Sequence, residues 1–326
     1  MGDTLTDTLE SALAQTCKNL EIVVQDNCST DGSAEIIRAA SQSDARIKTY
    51  ENDQFLSMSE NWNACVRNST GQYFVLLSAD DLLKPAFVEK CLSVALARPG
   101  LGYVWAERED IDGDGNILKT HRYYGSNCIL PAPVEGRINL LGGHAVPSQV
   151  MILRSAYDAE GGYDESFEWC HDRELITRIG LKRDVAYLEE PLCQYRYHSG
   201  MSSARFAYDK LGPMEIYRMR LQISREWATT DEEKLEHEVI IARKTAQLCK
   251  GLMDQFARAG DHSKAKEYEH LMKSFCLDYA VDDSPVIQGP SDNNDAPDKS
   301  GPGIPEGAVA FSLADLTGQL KKGMFS

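Results

Sequence analysis

The chain lacks a basic excess, a long apolar run and any close cysteine pair. It has 34 Lys and Arg against 50 Asp and Glu, a formal net charge of −16 over 326 residues. That balance leaves no surplus cation to neutralise phosphates, so a nucleic-acid partner is not expected. It equally disfavours general adhesion to anionic membranes. No apolar stretch approaches the length of a membrane span, so no transmembrane segment is expected. The start, Met1-Gly2-Asp3-Thr4, shows neither a basic n-region nor an apolar h-region. The nine cysteines are scattered, none as C-x-x-C, and read as buried reduced thiols rather than zinc ligands or a disulfide framework. A cytoplasmic protein is expected, with peripheral attachment to the inner face of a membrane as a variant. No G-x-G-x-x-G follows a strand pattern, which argues against a dinucleotide-binding dehydrogenase.

What is present centres on residues 73–81, Y-F-V-L-L-S-A-D-D. Five β-formers without polar alternation suit a strand buried on both faces of a parallel sheet. They end at Asp80 and Asp81, and open α/β sheets bind ligands outside the carboxyl ends of their strands. Two adjacent carboxylates repel, and a divalent cation relieves that. The plainer alternative is a helix cap ahead of Pro85.

Strand and helix patterns alternate around this stretch. Helices are expected at residues 3–15, 34–40, 57–67 and 87–97, and strands at 21–26, 46–51 and 103–106. The class is therefore α/β with a largely parallel sheet. The cluster N-C-S-T-D-G-S at residues 27–33 is a turn, and D-G-D-G-N at 112–116 reads as a hairpin turn. Further on, residues 149–154 and 185–188 read as strands, and 172–180 as a helix with Leu175, Ile176 and Ile179 on one face. Trp62 and Trp105 are expected in the core. From about residue 204 the pattern changes to long amphipathic helices at 211–227, 231–257 and 262–275. The turn between the last two hints at a tetratricopeptide-like hairpin. Residues 282–306 are rich in Pro, Gly, Ser, Asp and Asn and read as disordered, with a short helix, a docking peptide, at 308–320. Three regions result: 1–204, a helical extension at 205–281 that offers a surface to a protein partner, and a tail at 282–326.

Several motifs in order resemble the family 2 inverting glycosyltransferases with the GT-A fold. L-E-S-A-L-A-Q-T at residues 9–16 and N-L-E-I-V-V at 19–24 look like that family's first helix and second strand. D-N-C-S-T-D-G-S at 26–33 looks like its acidic turn, and G-Q-Y followed by the strand to Asp80-Asp81 like its metal-binding motif. G-G-Y-D-E at 161–165 and His171-Asp172 with Leu175 complete the set. The resemblance implies a metal-assisted transfer of a sugar from a nucleotide-diphosphate donor, expected to be UDP-linked. The acceptor would be a glycan, lipid-linked or other hydroxyl.

The resemblance also implies roles. Asp26 and Asn27 would bind the nucleobase, against the plain reading of an Asx-turn with a helix cap. Asp80 and Asp81 would hold Mg²⁺ or Mn²⁺ on the diphosphate. Asp172 would be the general base, against a helix N-terminal carboxylate stabilised by the dipole. His198, in Y-R-Y-H, would contact metal or diphosphate, or be structural. His144, in G-G-H, would face the acceptor. Departures are expected to matter. The family's first strand should precede Thr4, and its absence would leave unpaired backbone beside the second strand. Ser78, His171 and the segment Phe55-Leu56-Ser57 also depart from the pattern. The alternative function is an inactive scaffold that binds nucleotide or protein.

Overall fold

The computed structural model describes residues 2–143, 145–198, 200, 202–278 and 305–310. In chain order the elements are α1 (Gly2–Leu13), β1 (Ile22–Asp26), α2 (Ser33–Ser43), β2 (Ile47–Glu51), α3 (Met58–Arg67), β3 (Tyr73–Val75), β4 (Leu82–Leu83) and α4 (Phe87–Ala97). They continue with β5 (Tyr103–Ile111), β6 (Ile117–Thr120), β7 (Cys128–Leu130), α5 (Val134–Leu141), β8 (Val150–Leu153), α6 (Arg154–Ala159), α7 (His171–Lys182) and β9 (Val185–Arg196). The helices α8 (Ser202–Tyr208), α9 (Leu211–Trp227), α10 (Asp231–Arg258) and α11 (His262–Asp278) follow, and then β10 (Val309–Ala310).

The strands form two sheets. β1 and β2 pair in parallel by themselves. The larger sheet has the order β10-β7-β9-β5-β8-β3, with β4 on β9 and β6 on β5. Within it only β5 and β9 run parallel, while β3/β8, β5/β8, β7/β9, β4/β9 and β7/β10 are antiparallel. The expected largely parallel sheet is thus corrected to a mixed one. The parallel pair β1–β2 stands apart because no described strand joins β1 to β3.

β5 is the centre of the core and is buried along its whole length. Trp105 is fully buried against Tyr123, Tyr124 and Tyr187, as expected of a core residue. Trp62 is half-buried and meets Tyr163 and His171 edge-on. α5 and α7 cross at Gly136 and Gly180, where a Cβ on Gly136 would lie 2.3 Å from the Leu181 nitrogen. Only glycine permits that approach, and it seats α7 firmly against α5. Leu175, Ile176 and Ile179 are buried as their spacing predicts. α9 packs Ile216, Met219 and Ile223 onto Leu140, Phe167, Cys170 and Leu181, so the helical extension shares core with the sheet's helices. α10 and α11 close on Ala246, Cys249, Tyr268 and Phe275.

Four expectations on elements change. Residues 73–77 are expected as a strand buried on both faces, but β3 spans only Tyr73–Val75 and is half-buried, and among the described residues no strand pairs with its outer edge. The strand expected at 103–106 runs on to Ile111, through four buried charged residues. The strand expected at 185–188 continues to Arg196. Val309 and Ala310 are strand, paired with β7, rather than helix. Residues 305–308 form a turn ahead of it, and residues 282–304 and 311–326 of the expected tail and docking peptide lie outside the described residues.

α3 begins with a reciprocal cap. The Glu60 N–H donates to Ser57 Oγ at 3.3 Å, and the Ser57 N–H donates to Glu60 Oε2 at 2.9 Å. Ser57→Ala is expected to cost about 1 kcal/mol in urea unfolding. An unchanged midpoint would show that the cap is redundant.

Candidate active site

The carboxyl ends of β1 and β3 and the start of α7 open on one cleft of about 1520 Å³, whose walls include Asp26, Asp80 and Asp172. Each arrives there by local geometry. Asp26 is the last residue of β1, and its Oδ1 accepts the Ser29 N–H at 3.2 Å, the expected Asx-turn. Its side chain is mostly buried at 8% residue exposure, yet it still borders the cleft. Asn27 next to it is committed to the backbone. Its Nδ2 donates to the Leu56 carbonyl at 2.9 Å, and its Oδ1 accepts the Leu56 N–H at 2.9 Å. Asn52 Nδ2 donates a second bond to the same oxygen at 2.9 Å. This amide holds the loop in place and leaves Phe55, 77% exposed, on the cleft wall. Of the two residues, Asp26 keeps a carboxylate on the cleft wall.

The acid pair divides. Asp80 reaches the cleft, with Oδ2 3.0 Å from His198 Nε2. His198 Nδ1 accepts the Gly200 N–H at 3.2 Å, which places the ring proton on Nε2, donating to Asp80. Asp81 turns inward and is fully buried. Its Oδ2 accepts from Ser148 Oγ at 2.6 Å and its Oδ1 from the Arg196 N–H at 3.1 Å. Burial first, and then the charge of Asp80, push its carboxyl up to about 7. The expectation of Asp81 as a metal ligand is corrected: both oxygens are occupied away from the cleft. Neither acid caps α4, whose N-cap is Ala86.

Arg196 organises this corner. It is 3% exposed, and it donates from Nε to the Asp80 carbonyl at 3.0 Å, from Nη1 to the Gly113 carbonyl at 2.9 Å and from Nη2 to Asp7 at 3.2 Å. Residues on α1, the acid turn and the β5–β6 hairpin are thereby tied to the end of β9. The sequence marked the Y-R-Y-H segment for its histidine and missed the arginine.

A divalent cation suits this donor set in part. Among the described residues no group of three or more His, Cys, Asp or Glu side chains converges. Of the acid pair only Asp80 lines the cleft, and Mg²⁺ or Mn²⁺ in such sites completes its shell with substrate phosphates and water.

Asp172, half-buried in the first turn of α7, lines the cleft, and its Oδ1 accepts the Arg173 N–H at 2.7 Å. His171 before it is fully buried, and burial lowers its pKa below the ordinary imidazole value, so it adds no positive charge beside the carboxylate. Arg173 packs on Gly143, whose φ of 82° and 2.5 Å clearance to the guanidinium for any Cβ demand glycine. His144 lies outside the described residues.

The G-G-Y-D-E turn is held by Asn63 of α3, which sequence reading passed over. Its Oδ1 accepts the Tyr163 N–H at 3.0 Å and its Nδ2 donates to the Tyr163 carbonyl at 3.0 Å. Arg108 was also missed because it sits in a charged run. It is buried beside the cleft, bonded to Asp110 at 2.8 Å and Gln149 at 3.0 Å.

Residues 2–159 match the family model described as Glycosyl transferase family 2. That stretch belongs to this family. EpsE of Bacillus subtilis, named as a glycosyltransferase, is 32% identical over 49% of this chain and 55% of its own. The chondroitin synthase of Pasteurella multocida is 31% identical over 59% of this chain and 19% of its own. The chain spans less than two thirds of these relatives. Among solved structures, S. aureus TarS 1–349 in complex with UDP superposes with a TM-score of 0.56 at 12% identity, covering 90% of this chain and 94% of that one. The mannosyltransferase PcManGT from Pyrobaculum calidifontis, in complex with GDP-Man and Mn²⁺, gives 0.51 at 13% identity, covering 86% and 83%. These likenesses show that the chain has the GT-A fold.

Proposed function

We propose that the cleft binds a nucleotide-diphosphate sugar, UDP-linked, and transfers the sugar to an acceptor hydroxyl with inversion. The observation that carries this reading is the convergence of Asp26, Asp80 and Asp172 on one cleft from three separate elements. Asp26 would accept the imide N–H of the base. Asp80 would hold Mg²⁺ or Mn²⁺, which supplies neutralisation of the diphosphate charge when bound. His198 would orient the Asp80 carboxylate or donate to a phosphate oxygen. Asp172 would take the proton of the attacking hydroxyl. The UDP-bound neighbour supports the donor class, and the synthases among the relatives support a polysaccharide acceptor.

Calorimetric titration with UDP tests the donor half. Binding is expected with Mn²⁺ present and should weaken about tenfold in His198→Ala, the loss of one charge-assisted bond. Asp80→Ala should abolish the Mn²⁺ dependence. Absence of binding at millimolar UDP would remove the enzyme reading. The other reading, a scaffold that binds nucleotide without turnover, is favoured by one observation: Asp26 sits on a two-stranded sheet that no described backbone pairing joins to the strand of Asp80.

A further inference from the structure

The cleft wall around Asp172 carries a cation without a partner. Three cationic side chains line the cleft: Lys48, Arg108 and Arg173. Lys48 is paired with Glu21 at 2.6 Å, and Arg108 with Asp110 at 2.8 Å. Arg173 is half-buried, and among the described residues its side chain enters no ion pair and no hydrogen bond.

Geometry holds that guanidinium in place. A Cβ on Gly143 would stand 2.5 Å from Arg173 Nε, 2.8 Å from Cζ and 2.9 Å from Cδ. Those distances put the point above the plane at Nε, so the flat of the group rests on the Gly143 backbone. The N–H donors point outward in that plane, and the contact leaves them uncovered. The acids close by in sequence or space are committed elsewhere. Asp172 Oδ1 accepts the Arg173 backbone N–H at 2.7 Å, and Glu174 is paired with Arg178 at 2.5 Å. Glu215 of α9 accepts the backbone N–H of Glu168 at 2.7 Å, of Trp169 at 2.7 Å and of Cys170 at 3.3 Å.

Those three bonds also fix Trp169, a half-buried residue that lines the same cleft. Gly212, in the first turn of α9, lies against its indole, where a Cβ would come within 3.0 Å of Cζ3. Phe206 packs on it at 5.7 Å between ring centroids. A supported indole on a cleft wall is a surface for the apolar face of a sugar ring, and a few placed polar groups then set its orientation. Asp172 has this indole three residues before it and the unpaired guanidinium directly after it, and all three side chains border the cleft.

We propose that this wall is the acceptor subsite and that it takes an anionic glycan, one with a carboxylate or a phosphate beside the hydroxyl that reacts. Trp169 would carry a sugar ring. Arg173 would hold the anion through two parallel N–H bonds, the fork that guanidinium offers to carboxylate and phosphate alike. The formal net charge of −16 gives an anionic polymer no general attraction to the chain, so recognition falls on this one cation. The proposal rests on reading Asp172 as the base that faces the acceptor, and it adds the acceptor's charge, which that reading leaves open.

The test is calorimetric binding of two pairs of probes with UDP and Mn²⁺ present, at low and high salt. One pair is a galacturonic acid trimer and its carboxyl-reduced counterpart. The other is a phosphodiester-linked glycerol trimer and neutral triglycerol. At least one anionic probe should bind about tenfold more tightly than its neutral partner, and less so at high salt. The pair that shows the difference identifies the anionic group. Arg173→Gln should remove the difference and Arg173→Lys keep part of it, while UDP affinity changes by less than about twofold in both. Absence of a preference for either anion would overturn the proposal, as would a preference that survives in Arg173→Gln. So would a preference for UDP-glucuronate over UDP-glucose that Arg173→Gln abolishes, because the anion would then sit on the donor. The donor assignment is read separately: if UDP fails to bind while the Arg173-dependent preference persists, that assignment falls and the anionic subsite stands.

Discussion

Asp172→Asn is expected to lower turnover by about 10²–10⁴-fold while nucleotide affinity changes by less than about twofold, the pattern of a lost general base. The substitution keeps size and shape, and the amide oxygen can still accept the Arg173 N–H, so the first turn of α7 is preserved. The neighbouring His171 is packed among Trp62 and Tyr163 and is held neutral by burial, so it cannot replace the lost base from the cleft. Single-turnover kinetics with UDP-sugar and a parallel UDP titration separate the effects. Full turnover in the variant would end the assignment. A joint collapse of turnover and nucleotide binding would instead place Asp172 in the support of α7.

Stability is expected to fall as pH rises from about 4.5 to about 7, against the usual behaviour of paired surface carboxylates. Glu135 is 1% exposed on α5, and its Oε2 accepts the Tyr124 hydroxyl at 2.8 Å. Burial pushes its pKa up to about 7, against a hydrogen bond that pulls the other way. Between the ordinary glutamate value and 7 the folded chain holds a proton that the unfolded chain has released. Stability is therefore complete below that window, declines through it and levels off above it. The shift corresponds to about 3 kcal/mol. Glu107 and Asp81 move in the same direction. Glu135→Gln should flatten its share of the slope between pH 5 and pH 8, measured as urea midpoints. If the variant declines as steeply as the parent, Glu135 is not the titrating group.

Much of the fold was legible because it follows from simple periodicity. Leu175, Ile176 and Ile179 mark the buried face of α7 by their spacing, and D-G-D-G-N marks the β5–β6 hairpin by its turn chemistry. The second half of β5 was not legible. The expected strand stops at residue 106, before Glu107, Arg108, Glu109 and Asp110, and four consecutive charges are seldom buried. They are buried because each finds a distant partner: Tyr187, Gln149, Lys84 and His121 respectively. Pairing of that kind leaves no local pattern.

The site shows the same division. Asp80 is marked by its place after a run of β-formers, while Asp26 and Asp172 are marked by the order of motifs that the resemblance supplies, and all three line the cleft. Which carboxylate of the acid pair faces it depended on Ser148 and the backbone of Arg196, far away in sequence, and those bonds turned Asp81 inward. Asn27 follows from the resemblance as a second base-binding residue, and its amide is instead bonded to the backbone of Leu56. The parallel sheet was inferred from alternation of strand and helix. Alternation does not reveal that β8 and β3 pair antiparallel, because their connection passes through residues with little regular pattern.

The isolation of the β1–β2 pair also has a thermodynamic consequence. The part of the cleft that carries Asp26 is joined to the part that carries Asp80 by side-chain bonds such as Glu21–Thr70 and Gln25–Asn68, without a backbone ladder. A nucleotide-diphosphate sugar spanning both carboxylates would limit the relative freedom of these two parts and spend binding free energy in doing so. Linkage then requires reciprocity: any change that already holds the two parts together raises nucleotide affinity by the factor by which the nucleotide favours the joined state.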